Sequence, residues 1–358
     1  MLRIEKISLY HFRNYTNQEF SFDKQIISIT GKNGSGKTSI LDAIHFLCFT
    51  KSYFLHIDSL VITNGLQGMR INGEFRTDKL DTLTCIIRDN GKKEFLKNSV
   101  AYTQFSRHIG QFPCVFIAPD DTELITGSSE GRRKFMDTII SQLSVDYLDQ
   151  IILYAKILQQ RNALLKQWHL QSAQDYPLLQ IYTKQLQTIG HIIHQYRIDF
   201  CKQLATKTNE FYTYLSEEKE QVIIQYQSQL ESASLEDLLT QNIEKDIRTQ
   251  RTNYGIHKDD LDFELNGMPF KQAASQGQRK SFLFGLKLAQ FFIIQAQKNK
   301  SPILLLDDIF EKLDESRSHK LIDFLVKQNA QIFITHTHIE QVKKTFKEYQ
   351  DQVQFIEL

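Results

Sequence analysis

The sequence predicts an α/β fold: a phosphate-loop nucleotide domain, with a mixed sheet and an antiparallel subdomain, interrupted by an inserted α-helical domain. Three observations predict it. Gly31-Lys32-Asn33-Gly34-Ser35-Gly36-Lys37-Thr38 has the residue types and spacing of a phosphate-binding loop. Its chemical partner, the apolar run Ile303-Leu304-Leu305-Leu306 ending in Asp307-Asp308, lies near the other end of the chain. Between them, from Arg132 to Tyr254, there is one glycine, Gly190, and one proline, Pro177. A helical tract therefore separates the two halves of one nucleotide site.

Ile26-Ile27-Ser28-Ile29 reads as a buried strand entering the loop, and Ser39-Ile40-Leu41-Asp42-Ala43-Ile44 as a helix leaving it. Gly31, Gly34 and Gly36 let the backbone turn tightly, so that N–H groups of Lys32, Asn33 and Ser35 face phosphate oxygens. The helix N-terminus at Ser39 adds partial positive charge. Lys37 is assigned to the β- and γ-phosphates of ATP, and the Thr38 hydroxyl to Mg2+.

The first 120 residues read as strand-rich. Thr82-Leu83-Thr84-Cys85-Ile86-Ile87 and Glu94-Phe95-Leu96-Lys97-Asn98-Ser99-Val100 are short alternating runs, punctuated by Gly65, Gly68, Gly73 and Gly91. They predict a small antiparallel sheet. The helical tract shows apolar stripes at helical spacing: Ile140, Leu143, Tyr147 and Ile151, then Tyr182, Leu186, Ile189, Ile193, Tyr196, Phe200 and Leu204. Core packing between helices accounts for both. The expected division is a discontinuous nucleotide domain, 1–125 and 250–358, around a helical arm, 126–249.

In the last third, Ser275-Gln276-Gly277-Gln278 precedes a plausible helix over 279–289, which leads to the aspartate strand. This is the order of an ABC-type ATPase. There, the serine hydroxyl and the glycine N–H bind the γ-phosphate held by an opposite subunit. ATP is thus expected to bridge a homodimer. Asp307, at the C-terminal end of a buried strand, would hold Mg2+. Asp308 stands where many such ATPases place a water-polarising glutamate. It is one methylene shorter, so slow hydrolysis is expected. Leu313-Asp314 is similar to the loop that meets the partner site. Ile332-Phe333-Ile334-Thr335 reads as another buried strand ending at His336, a candidate γ-phosphate sensor, with His338 as the competing candidate.

These residues together resemble the RecF family of bacterial recombination-repair ATPases, relatives of the SMC proteins. The resemblance runs over essentially the whole chain. It includes Leu9-Tyr10-His11-Phe12-Arg13-Asn14-Tyr15, the phosphate loop, and Phe116-Ile117-Ala118-Pro119-Asp120-Asp121. It continues through the stretch from Gly127 to Asp137, Gln160-Arg161-Asn162, and Tyr254-Gly255-Ile256-His257-Lys258-Asp259-Asp260-Leu261. The paired aspartates fit the family, whereas near His336 its members often carry threonine. The resemblance implies ATP-dependent DNA binding at gaps and single-strand/double-strand junctions. It also implies work with RecR and RecO in loading recombinase, and a part in replication-gap repair and the damage (SOS) response. By the same relationship Arg13, after the first strand, is assigned to nucleotide phosphate.

Net charge is +1, so any DNA surface must be a local patch. Arg132, Arg133 and Lys134 are the first candidates for backbone phosphates, followed by Lys156, Arg161 and Lys166. Cys48, Cys85, Cys114 and Cys201 have no metal or redox spacing and are expected as reduced core thiols of a cytoplasmic protein. His191 and His194 lack a partner that would make them a metal site. No run of about 18 apolar residues suggests a membrane span. Two other readings compete: an SMC-like ATPase subunit of a nuclease or defence system, and a nucleotide-dependent scaffold that does not touch DNA.

Overall fold

Five parallel strands make the central sheet, in the order Val353–Glu357, Ile26–Thr30, Ile332–His336, Ile303–Leu306 and Cys114–Ile117. The last four in that order are buried along their whole length. That is why they read as unbroken apolar runs: a parallel sheet is covered on both faces. The computed structural model describes residues 1–170, 175–216, 220–308, 315–337 and 346–358.

A second, antiparallel sheet has the order Tyr15–Ser21, Arg3–Phe12, Met69–Arg76, Leu80–Ile87, Lys93–Lys97 and Val100–Ala101. Its strands alternate between buried and partly exposed positions, as in Met69–Arg76. The run from Glu94 to Val100 is not one strand. Asn98 and Ser99 take positive φ, 50° and 65°, and turn the chain back on itself. Nor is Gly73 a turn: it lies mid-strand, where a Cβ would meet the Leu47 and Phe75 side chains. Leu47 belongs to the helix Lys37–Phe49, which leaves the phosphate loop and is buried at nearly every position. That helix shares one apolar core with both sheets, through Ile40, Leu41, Ile44 and Leu47 against Ile7, Ile27, Ile29 and Phe75.

Both sheets lie in a unit formed by Met1–Asp121, Phe211–Glu217 and Gln276–Leu358. The second unit comprises Thr122–Glu210 and Glu218–Ser275. It is built on the helices Ser129–Leu143, Val145–Leu170 and Tyr176–Ser216, the last turns of which belong to the first unit. Leu186, Ile193 and Leu204 of the long stripe are fully buried, while the shorter stripe is broken at Ser144, whose backbone is extended.

This unit departs from the expected all-helical arm. Val222–Gln227 is a strand, and it pairs antiparallel with Asp260–Leu265, from Gln227 opposite Asp260 to Val222 opposite Leu265. The pairing carries the segment 250–275 into the helical unit, where the sequence reading assigned it to the nucleotide domain. All four cysteines are buried thiols outside any disulfide. Among the described residues no helix is long and apolar enough to cross a membrane.

Candidate nucleotide site

The phosphate loop joins the strand Ile26–Thr30 to the helix Lys37–Phe49. Gly34 and Gly36 have φ of 82° and 109°, the left-handed region that favours glycine. A Cβ on Gly36 would run into Tyr15 and Asn14, so two requirements meet at that position. Asn14 Nδ2 also donates to the Gly34 carbonyl at 3.4 Å. Lys37 is buried, and its ammonium donates to the Gly31 carbonyl at 2.8 Å and the Lys32 carbonyl at 3.2 Å.

The two halves of the site meet. Thr38 Oγ1 donates to the Asp307 carboxylate at 3.0 and 3.1 Å, across 269 residues of sequence. Thr335 Oγ1 donates to Asp307 Oδ1 at 2.7 Å and accepts the Asp308 N–H at 2.9 Å. Burial pushes the Asp307 carboxyl above its ordinary range, and the bonds from Thr335 and Thr38 oppose this. Asp308 has φ of 44°, an uncommon conformation for a non-glycine residue, held by that Thr335 contact. His336 is buried at the end of its strand, and its carbonyl accepts the Gly31 N–H at 3.3 Å. Burial, then the nearby Lys37 charge, lower its pKa to about 3, so the imidazole is neutral. His338 and Leu313-Asp314 lie outside the described residues.

Arg13, expected at the nucleotide phosphate, has partners within the protein. Its guanidinium pairs with Asp42 at 2.6 Å, contacts Ser52 at 3.3 Å and lies over the Phe54 ring. Asp42 is fully buried, so this pair anchors the loop helix to the strand Arg3–Phe12 and its following turn. Sequence reasoning missed Thr335 and Asn14 as site residues. It also missed Lys287, which pairs with Asp121 at 3.0 Å and donates to the Phe116 carbonyl at 2.9 Å. Tyr53 donates to Asp121 as well. Lys287 stands on the helix Gln276–Lys298, so the residues that begin at Gln276 lead directly into this buried cluster. The available signal was a lysine at position 287 amid apolar neighbours.

Ser275 and Gln276 are exposed, and Gly277 and Gln278 are partly so, at the start of that helix. In the second unit Arg132 makes two bonds to the Asp260 carboxylate, at 2.6 and 2.9 Å, and Arg133 donates to the Asp259 carbonyl at 2.7 Å. Arg161 is fully buried against Asp246, which removes it from the phosphate-contact candidates. Lys134, Lys156 and Lys166 are exposed. His194 is buried and bonded to the Tyr226 hydroxyl, and His191 is exposed. The motif from His257 to Asp260 is a packing hub: Asp259 receives Arg197 at 2.6 Å and the Tyr226 hydroxyl at 2.5 Å.

The donors fit a nucleotide with its magnesium. The Ser35 hydroxyl is buried with no hydrogen-bond partner among the described residues, and the glycine cradle has no room for a Cβ at Gly36. A threonine hydroxyl beside one carboxylate is a hard oxygen set, suited to Mg2+ that keeps waters and phosphate oxygens as its other ligands.

A parallel sheet with the loop and aspartate at the C-terminal ends of its strands, beside an antiparallel sheet, defines an ATPase head of the ABC type. Solved Smc head domains share this fold: one from Pyrococcus furiosus, bound to the C-terminal domain of ScpA, gives a TM-score of 0.53 at 17% identity over 94% of this chain and 90% of that one. The RecF/RecN/SMC N terminal domain family matches residues 3–112. The DNA replication and repair protein RecF of Flavobacterium johnsoniae is 42% identical over 97% of this chain and 99% of its own. That of Cytophaga hutchinsonii is 42% identical over 93% and 88%. A solved structure of the recombination mediator protein RecF-ATP in the RecFOR pathway superposes with a TM-score of 0.88, at 26% identity over 96% and 95%. The chain belongs to the RecF family.

Proposed function

We propose that this chain is an ATP-driven, DNA-binding switch of replication-gap and recombinational repair. The observation that carries the reading is the Thr38–Asp307 bond, which assembles loop and strand into one site. The loop N–H groups and Lys37 would bind the triphosphate; Thr38 and Asp307 would hold Mg2+. The metal supplies charge neutralisation at the phosphates when bound. Asp308 would polarise the attacking water, with slow turnover from its short side chain. Neutral His336 would act as a hydrogen-bonding neighbour of the γ-phosphate.

Ser275, Gln276, Gly277 and Gln278 of a second copy would complete the site, so that ATP closes a homodimer on DNA and hydrolysis opens it. ATP stabilises the closed state only through contacts the open state lacks. Lys134, Lys156 and Lys166 remain as exposed candidates for DNA phosphates, whereas Arg132 and Arg133 are held by Asp260 and Asp259. Family membership supports gapped or junction DNA, RecR and RecO, the SOS response and a cytoplasmic setting as its context.

The test is ATP turnover per subunit as protein concentration rises, with and without duplex DNA. Specific activity should increase with concentration, and more steeply on DNA. A flat profile indifferent to DNA would overturn the shared site. Ser275→Arg should abolish ATP-driven dimerisation while sparing ATP binding by the monomer.

A further inference from the structure

The first unit has a second concavity, a cleft of about 490 Å3 at the other end of the parallel sheet from the phosphate loop. Its walls carry Lys79, Lys97, Lys298 and Lys300, together with Asp78 and Asp81. The floor is Phe112 and Pro113, immediately before the strand Cys114–Ile117. Lys298 and Lys300 immediately precede the strand Ile303–Leu306, whose far end bears Asp307. A four-residue strand spans roughly 13 Å, so an occupant of the cleft would leave the nucleotide site open.

The charges in the cleft are unevenly matched. Asp81 is buried and engaged: it accepts Asn98 Nδ2 at 2.8 Å and lies 3.4 Å from the Lys97 ammonium. Lys97 also donates to Gln111 Oε1 at 3.3 Å and lies over the Phe112 ring. Among the described residues no carboxylate pairs with Lys79, Lys298 or Lys300. Burial, then the charge on Lys300, hold the Lys298 ammonium below its ordinary pKa. An anion seated between them would relieve that repulsion.

We infer that this cleft docks an acidic segment of a partner protein, through carboxylates that pair individually with Lys79, Lys298 and Lys300. The lining argues for a peptide rather than a phosphate group. It has no arginine fork, and its lysines are separate point charges that suit single carboxylates. A peptide can hold its acidic side chains toward the lysines and its N–H donors toward Asp78 and the Gln111 amide. This inference does not depend on the nucleotide reading.

The probe is a fluorescein-labelled peptide of alternating Glu and Ser, titrated into the full-length chain and read by anisotropy at several salt concentrations. Binding should weaken with salt. Lys298→Glu/Lys300→Glu should lower affinity by roughly tenfold, the scale of two exposed ion pairs. ATP binding should stay unchanged, as a check on folding. The same variant should gain affinity for a Lys-Ser peptide of equal length. No binding, equal affinity of the variant for the acidic peptide, or displacement by tripolyphosphate more readily than by unlabelled peptide would each overturn the proposal.

Discussion

Thr335 holds Asp307 in place: its hydroxyl donates to Asp307 Oδ1 at 2.7 Å, and the same oxygen accepts the Asp308 N–H at 2.9 Å. One buried side chain therefore orients the Asp307 carboxylate and fixes the left-handed backbone of the residue after it. Thr335→Val keeps the shape and removes the hydroxyl. It should cost about 1–3 kcal/mol of stability, because a buried N–H loses its partner. ATP turnover should fall more than ATP affinity, and Thr335→Ser should restore both. Urea unfolding and steady-state turnover of the two variants check this; wild-type turnover in Thr335→Val would refute it.

Two glycines of the loop carry different burdens. Gly34 takes positive φ but has nothing within 4 Å of a would-be Cβ, whereas Gly36 combines positive φ with Tyr15 and Asn14 in the way. Gly34→Ala should therefore cost only the left-handed penalty, about 1 kcal/mol. Gly36→Ala adds overpacking and should cost about 2–4 kcal/mol in total, with a larger loss of nucleotide affinity. Thermal midpoints and nucleotide titrations of the pair separate the two effects. Equal losses would mean that backbone conformation alone sets the requirement.

Two buried arginines of the second unit make another unequal pair. Arg197 uses three nitrogens: Nε donates to the Tyr147 hydroxyl, Nη1 to Asp259 and the Ile256 carbonyl, and Nη2 to Asp137. Arg161 uses only Nη1, toward Asp246 and the Thr252 hydroxyl. A lysine is a point charge and can imitate the second arrangement better than the first. Arg161→Lys should cost about 1–2 kcal/mol, the scale of a modest rearrangement. Arg197→Lys should cost about 3–5 kcal/mol, because buried carboxylates are left poorly paired. Chemical denaturation of both variants gives the comparison, and the reverse order would contradict the donor count.

The parts of the site that phosphate chemistry dictates were legible in the sequence. The loop from Gly31 to Thr38 and the strand Ile303–Leu306 stand where spacing and apolar runs place them. What was not legible depends on partners distant along the chain. The sequence gives no sign that Arg13 stands 2.6 Å from the buried Asp42. Arg161 reads as a surface charge until Asp246, 85 residues on, is found against it. Thr335 gives no period or motif; its role exists only because two parallel strands bring it to Asp307. The strand Val222–Gln227 lies in a glycine-poor tract that looks helical, and only its pairing with Asp260–Leu265 makes it a strand.

Buried histidines give the protein a pH dependence with a definite sign. His108 Nε2 donates to the Leu47 carbonyl at 2.7 Å and its Nδ1 faces the Tyr102 hydroxyl; His257 Nε2 donates to the Thr252 carbonyl at 3.0 Å and its Nδ1 faces Tyr154. Burial lowers both pKa values to about 4, against an ordinary value of 6.5. The unfolded chain therefore takes up these protons first as pH falls. The stability each ring contributes is fully present above 6.5 and is lost as pH drops toward 4, up to about 3 kcal/mol per ring. Asp259 and Asp307 act in the opposite sense, because burial raises their carboxyls and the folded state binds those protons more readily. The histidine share is isolated by comparing wild type with His108→Gln, whose amide can still donate to Leu47. Unfolding free energies measured in urea from pH 7.5 to pH 5 should fall more steeply for wild type. Parallel curves would show that His108 is not a source of the slope.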